Sequence, residues 1–156
     1  MKRFAVAIVA LVLSACGPKL IPGLDIEVAD TPDNRALLNL LERFQQAYQN
    51  KDVDTLVSLA ASSFYETCGT QDTSDDYDVQ GLRKHFTEHF KKVKKLSLTI
   101  GLKDLRVDGD RAVIDYHYLA RYLLELPSGE RWQIKDDMQR MHLVRENGQW
   151  KIVSGM

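Results

Sequence analysis

The chain has 156 residues, enough for one domain with a substantial core and too few for two. Hydrophobic residues make up 44% and charged residues 28%, a balance that excludes a disordered or fibrous chain. With 21 basic against 22 acidic side chains the formal net charge is −1, so no cationic surplus points to nucleic acid.

The N-terminus is of different material. Lys2 and Arg3 precede an uncharged apolar run, Phe4 to Leu13. That run is shorter than the roughly 20 residues needed to cross a bilayer core, and with its flanks it fits a secretory signal. Leu13-Ser14-Ala15-Cys16 then resembles the lipobox of bacterial lipoproteins. The resemblance implies diacylation of the Cys16 thiol and cleavage just before it, making residues 1–15 a signal peptide. Two or more acyl chains hold a protein on a membrane without spanning it, since each buried methylene contributes about 0.8 kcal/mol. Gly17, rather than Asp, follows the cysteine. By the same resemblance this favours the outer membrane facing the periplasm, if the cell is Gram-negative. Cys68 is left as a lone thiol with no intrachain partner; a small buried side chain is the plain reading, an intermolecular bridge the other.

Residues 16–30, rich in Pro and Gly, read as the lipidated cysteine and a tether, and 31–156 as one folded domain. Thr31-Pro32-Asp33 is a helix opening: a capping hydroxyl, a proline suited to the first turn, and an acid at the positive end of the dipole. Leu37, Leu40, Leu41, Phe44 and Tyr48 follow at helical spacing, and the helix should stop near Asn50. Asp52 can cap a second, short helix carrying Leu56, Leu59 and Ala60. The stretch from Glu66 to Asp78 holds four aspartates but lacks the glycine and closing glutamate of a calcium loop, so it reads as a solvated acidic loop. Asp78 can cap a third helix with Val79, Leu82, Phe86, Phe90 and Val93 inward. After Leu96 the period shortens to two. Asp108-Gly109, Ser128-Gly129 and Asn147-Gly148 mark the turns of an antiparallel meander. Three N-terminal helices packed on one face of such a sheet make an α+β domain.

The order of a capped first helix, Asn50-Lys51-Asp52-Val53-Asp54-Thr55-Leu56, long strands and a closing Arg145-Glu146-Asn147-Gly148-Gln149-Trp150-Lys151-Ile152-Val153 is informative. It resembles the nuclear-transport-factor-2-like (NTF2-like, SnoaL-like) superfamily over nearly all of 31–156. That resemblance implies a cone, a strongly curved antiparallel sheet wrapped over helices. A cystatin-like fold is the rival, and three helical patterns argue against it.

A turn at Ser128-Gly129 pairs Arg121 with Asp136, His117 with Arg140 and Asp115 with His142, all on one face. Ala112, Ile114, Tyr116, Tyr118, Ala120, Met141 and Leu143 fall on the other, with Trp150 and Ile152. That second face should pack on the helices and line any cavity. Asp115, His117 and His142 are therefore either a solvated or dimer-forming outer face or, if the register slips, an inward acid/base cluster. Tyr48, Phe64, Tyr116, Tyr118 and Trp150 are the candidate pocket residues. His85-Phe86-Thr87-Glu88-His89 matches an inverted zinc-protease pattern, with both histidines at the border of the apolar stripe, but Glu88 points roughly away from that stripe and no third ligand is evident. No residue is assigned as catalytic or metal-binding, no cofactor is implied, and the steroid-isomerase pattern of Tyr and Asp cannot be matched here.

The superfamily holds isomerases, dehydratases and cyclases beside non-catalytic binding domains, and fold alone does not choose among them. The leading expectation is a non-catalytic domain, held to a membrane by its lipid and binding a small apolar ligand or an envelope protein. A pocket enzyme of isomerase or hydrolase type and an envelope or secretion-assembly accessory are the alternatives. A homodimer is compatible with all three.

Overall fold

The computed structural model describes residues 19–67 and 73–156. The signal segment, Cys16, Gly17 and Cys68 lie outside the described residues. The first helix, α1, spans Pro32–Gln49 and is capped by Thr31, whose hydroxyl accepts from the Asn34 amide at 3.1 Å. Its buried stripe is Leu37, Leu40, Leu41, Phe44 and Ala47, the face that helical spacing demands. Lys51, at φ 56°, turns the chain into α2 (Val53–Leu59), whose cap Asp52 accepts from the Thr55 amide at 3.0 Å. Beyond it β1 (Tyr65–Glu66) pairs with β2 (Tyr77–Asp78), so the acidic segment is closed by a short ladder and includes a 3-10 turn at Thr73–Asp75. Asp78 then caps α3 (Val79–Lys91), accepting from the amides of Gln80 and Gly81 at 3.0 and 2.9 Å.

The rest is one sheet in the order β3-β4-β5-β6: Val93–Asp108, Arg111–Leu126, Gly129–Glu146 and Gln149–Ser154, each antiparallel to the next. Shifts of register in β3 between Val93 and Lys95 and between Leu102 and Asp104 bend that strand. At the last hairpin Asn147 and Gly148 both take positive φ, as a two-residue turn between twisted strands requires.

The β4–β5 register differs from the sequence expectation. Leu126 pairs with Gly129, so the turn is Pro127-Ser128 rather than Ser128-Gly129. Proline's fixed φ and missing amide suit the turn position, which centres the turn one residue earlier. Each partner then moves by two: Arg121 faces Ile134, His117 faces Met138, and Asp115 faces Arg140. A shift of two leaves every side chain on its expected face.

The concave face of the sheet carries the core. Ala112, Ile114, Tyr116, Ala120, Met141, Leu143, Trp150 and Ile152 are all buried, most of them against the helices. Each large aliphatic side chain there contributes about 1.5–3 kcal/mol by leaving water. Ala60 bridges Ile152, and the Ala61 amide donates to the Ile152 carbonyl at 2.7 Å, locking α2 to the last strand. Gly155 closes the same end. Its amide donates to Glu66 at 2.6 Å and its carbonyl accepts from the Tyr116 hydroxyl at 3.2 Å. At φ 85° a Cβ there would stand 2.0 Å from the Arg140 carbonyl oxygen, so only glycine fits.

Two features modify the tether and the outer face. From residue 19 on, the segment read as a tether folds back: Leu20 bridges Ala29, Val28 is buried, and Asp30 pairs with Arg35 at 2.5 Å. On the convex face Trp132, Ile134 and Met138 are 59%, 62% and 52% exposed, an apolar patch that the domain itself does not cover.

Candidate functional site

The helices do not fill the cone. A cavity of about 240 Å³ remains between the C-terminal half of α1, the middle of α3 and the concave face of β3–β5. Phe44 and Tyr48 reach it from α1, because they lie at the end of the apolar stripe. His85, Phe86 and His89 reach it from α3, and Leu98 and Ile100 from β3. Alternation along β4 delivers Tyr116, Tyr118 and Tyr122, and alternation along β5 delivers Lys135 and Gln139. The cavity shares His85, His89, Tyr122 and Lys135 with a wider cleft of about 680 Å³, bounded also by Lys84 and Glu88 of α3 and by Lys92, which caps that helix.

The polar groups inside form a chain. The Tyr48 hydroxyl stands 3.2 Å from His89 Nε2 and 3.2 Å from the Tyr122 hydroxyl. Tyr48 also packs edge-on against Phe86 and Phe90, with ring centroids 5.9 and 5.2 Å apart, which fixes the phenol in place. Burial pushes the Tyr48 and Tyr122 phenols above the ordinary tyrosine value, so both keep their protons. Burial also lowers His85 and His89, which favours the neutral imidazoles; Lys135 adds to the effect on both, while Glu66 opposes it at His85. His85 stacks on Tyr77, with centroids 4.4 Å apart. A neutral imidazole joined to two protonated phenols can accept or pass a proton. Yet neither imidazole is hydrogen-bonded to a carboxylate among the described residues.

The candidate residues from the sequence fall into three groups. Tyr48, Tyr116 and Tyr118 line the cavity. Phe64 lies in the core behind it, 2% exposed and 6.1 Å from the Tyr77 ring. Trp150 is at the opposite end of the sheet, under the Arg145 guanidinium at 4.3 Å and donating to Asp33 at 3.3 Å. Asp115, His117 and His142 all lie on the outer face. Asp115 accepts from Arg140 at 2.6 and 2.9 Å and from Arg106 at 3.0 Å, and the Arg140 hydrogen bonds hold its carboxyl below the usual range. His117 pairs with Asp136 at 2.5 Å, and His142 is exposed opposite Ser154. These three residues do not converge on the cavity.

The His85/His89 pair borders the cavity, but Glu88 turns to Lys91 at 2.5 Å. Among the described residues no group of three or more His, Cys, Asp or Glu side chains is arranged to hold a metal ion. Sequence reasoning missed Tyr122, Lys135 and Gln139. The signal was present: Tyr122 continues the even positions of β4, and Lys135 and Gln139 share the odd positions of Met141.

A sheet wrapped over three helices around a cavity defines the class, a cone fold. The chain matches the SnoaL-like domain over residues 29–154 and belongs to that family. The family's fold serves ligand-binding pocket proteins, often enzymes such as isomerases and dehydratases. A conserved protein of Planctomyces limnophilus DSM 3776 is 14% identical, with 79% of this chain and 92% of that one aligned at a TM-score of 0.68. A ketosteroid isomerase-like protein from Erwinia carotovora atroseptica SCRI1043 is 9% identical over 80% of this chain and 94% of its own, also at 0.68. A type 2 hexachlorocyclohexane dehydrochlorinase is 14% identical over 79% and 82%, at 0.65. At such identities the likeness is one of fold. No curated protein matches the chain in sequence.

The partly desolvated imidazoles, His85 exposed and His89 half-buried, make stability depend on pH. Their folded values lie below the ordinary 6.5, so between the two the unfolded chain binds more protons than the folded one. Their contribution is complete above that value and is lost as pH falls through the folded ones. Asp30, Asp33, Asp52 and Asp115 are lowered from 3.8 and act only in a more acidic window. The melting temperature should therefore fall between about pH 7.5 and pH 5, and fall much less in a His85→Gln, His89→Gln variant. Equal falls in both proteins would place the source elsewhere.

Proposed function

We propose that this chain is a lipid-anchored protein of the bacterial envelope, whose cone binds a small, largely apolar ligand without transforming it. The observation that carries the ligand reading is the cavity itself, walled by Phe44, Tyr48, Phe86, Leu98, Ile100 and Tyr118. Structural relatives include a ketosteroid isomerase-like protein and a dehydrochlorinase, whose names speak for chemistry in such a cavity. Here the imidazoles contact Tyr48 and Tyr77, and among the described residues no carboxylate is hydrogen-bonded to either to orient it, which supports binding over catalysis. Titration of the full chain with methyl 2-naphthoate, followed by calorimetry, should give one site. Ile100→Trp should fill the space and abolish binding while the protein still melts cooperatively. A variant that binds as well as the parent would move the ligand out of the cone.

The address rests on Leu13-Ser14-Ala15-Cys16 behind a charged and apolar leader. Among the described residues no helix is long and apolar enough to cross a membrane. Cells expressing the full chain with labelled palmitate should incorporate label, and Cys16→Ser should incorporate none. Label retained in that variant would disprove anchoring at Cys16.

A second reading is favoured by the convex patch of Trp132, Ile134 and Met138, which would be covered by a second copy of this chain. Sedimentation should then give a dimer mass, and Ile134→Asp should give a monomer with its melting temperature within a few degrees of the parent. A parent that sediments as a monomer at high concentration would remove this reading.

A further inference from the structure

We infer that the ligand is an amphipathic anion, with an apolar body inside the cone and one acidic group at the mouth, held by Lys135 together with Lys92 and Lys84. This rests on the proposal that the cavity binds a ligand, and names the chemistry of that ligand.

The cavity and the cleft outside it differ in character. Inside, aromatic and aliphatic walls carry a few polar groups, the tyrosine hydroxyls, His85, His89 and Gln139. At the mouth the alternation of β5 places Lys135, among the described residues the one ammonium that borders both spaces. Lys84 on α3 and Lys92, the residue that caps its C-terminus, both face the cleft with Glu88 between them in sequence. Three cations thus line the cleft outside the cavity.

The cleft also holds two carboxylates, each with a partner, and Glu88 feels Lys84 and Lys92 as well. Glu88 is bound to Lys91 at 2.5 Å, and Asp76 accepts from the Tyr65 hydroxyl at 2.9 Å. Among the described residues Lys84, Lys92 and Lys135 are in no ion pair, whereas Lys91 and Lys94 hold Glu88 and Glu130. Like charges gathered at one opening repel, and a bound anion relieves that repulsion. The cationic field reaches inward, since Lys135 and Lys92 both help keep His89 uncharged. With three ammonium groups against two carboxylates the cleft keeps a net positive charge, which a neutral apolar molecule would leave unanswered and which would repel a cation. The fit is to a carboxylate, sulfonate or phosphate monoester on a compact hydrophobic frame.

Sodium 2-naphthoate and methyl 2-naphthoate share one frame and differ in charge, which makes them the probes. Titrated into the full chain, the carboxylate should bind about tenfold tighter than the ester, the scale of one charge-assisted hydrogen bond. The preference should shrink as sodium chloride is raised. Lys135→Met should bring naphthoate close to the ester, and the Lys84→Met, Lys92→Met, Lys135→Met variant should abolish the preference. Equal affinities for the two probes in the parent, with Ile100→Trp still excluding the ester, would overturn the anionic reading and leave the pocket standing. A preference that survives the triple substitution would also overturn it. If neither probe binds, the cavity reading falls as well.

Discussion

Everything in this domain depends on the alternation of side chains along β4. The strand is paired along almost its whole length, to β3 on one edge and β5 on the other, so no residue in it is free to rotate its side chain to the other face. Its even positions supply core at one end, from Ala112 and Ile114, and cavity at the other, from Tyr118 and Tyr122. Its odd positions supply Asp115 and His117 to the outside. A single strand thereby separates the apolar interior from the charged surface.

That constraint explains what the sequence revealed and what it hid. Helix boundaries were legible because caps are local: Thr31, Asp52 and Asp78 each bond an amide within three residues. The sheet faces were legible because parity survives an error of two in register. The pairings themselves were not, since the position of one proline decides between Pro127-Ser128 and Ser128-Gly129 as the turn. The cavity was only half visible. Tyr48, Tyr116 and Tyr118 announce themselves as aromatic residues on an inward face, but whether such a residue meets protein or empty space depends on how far α1 and α3 stand from the sheet. That distance has no local signature. Phe64 and Trp150 obey the same pattern and are core. His85 and His89 were conspicuous as a motif, while their surroundings, Tyr48 and Tyr77, come from segments remote in sequence.

The chemistry of the cavity follows from solvation. Partial desolvation of the His85 and His89 imidazoles and burial of the Tyr48 and Tyr122 phenols favour the neutral form of each. A neutral lining has little hold on charge, so the charged groups gather where water still reaches, at the rim. The outer face deals with charge differently: Asp115 sits between two guanidinium groups, a local arrangement of solvent-exposed partners.

The fastening of α1 at its first turn has a mechanical meaning. Asp33 is bound by Arg145, which also holds Asp110, and by Trp150, so the helix start is riveted to the β3–β4 turn and to the closing hairpin. Tyr48 lies fifteen residues further along, about 22 Å at a helical rise of 1.5 Å per residue. The fastening therefore lies at the leading end of the helix, while its far end, which borders the cavity, is outside it.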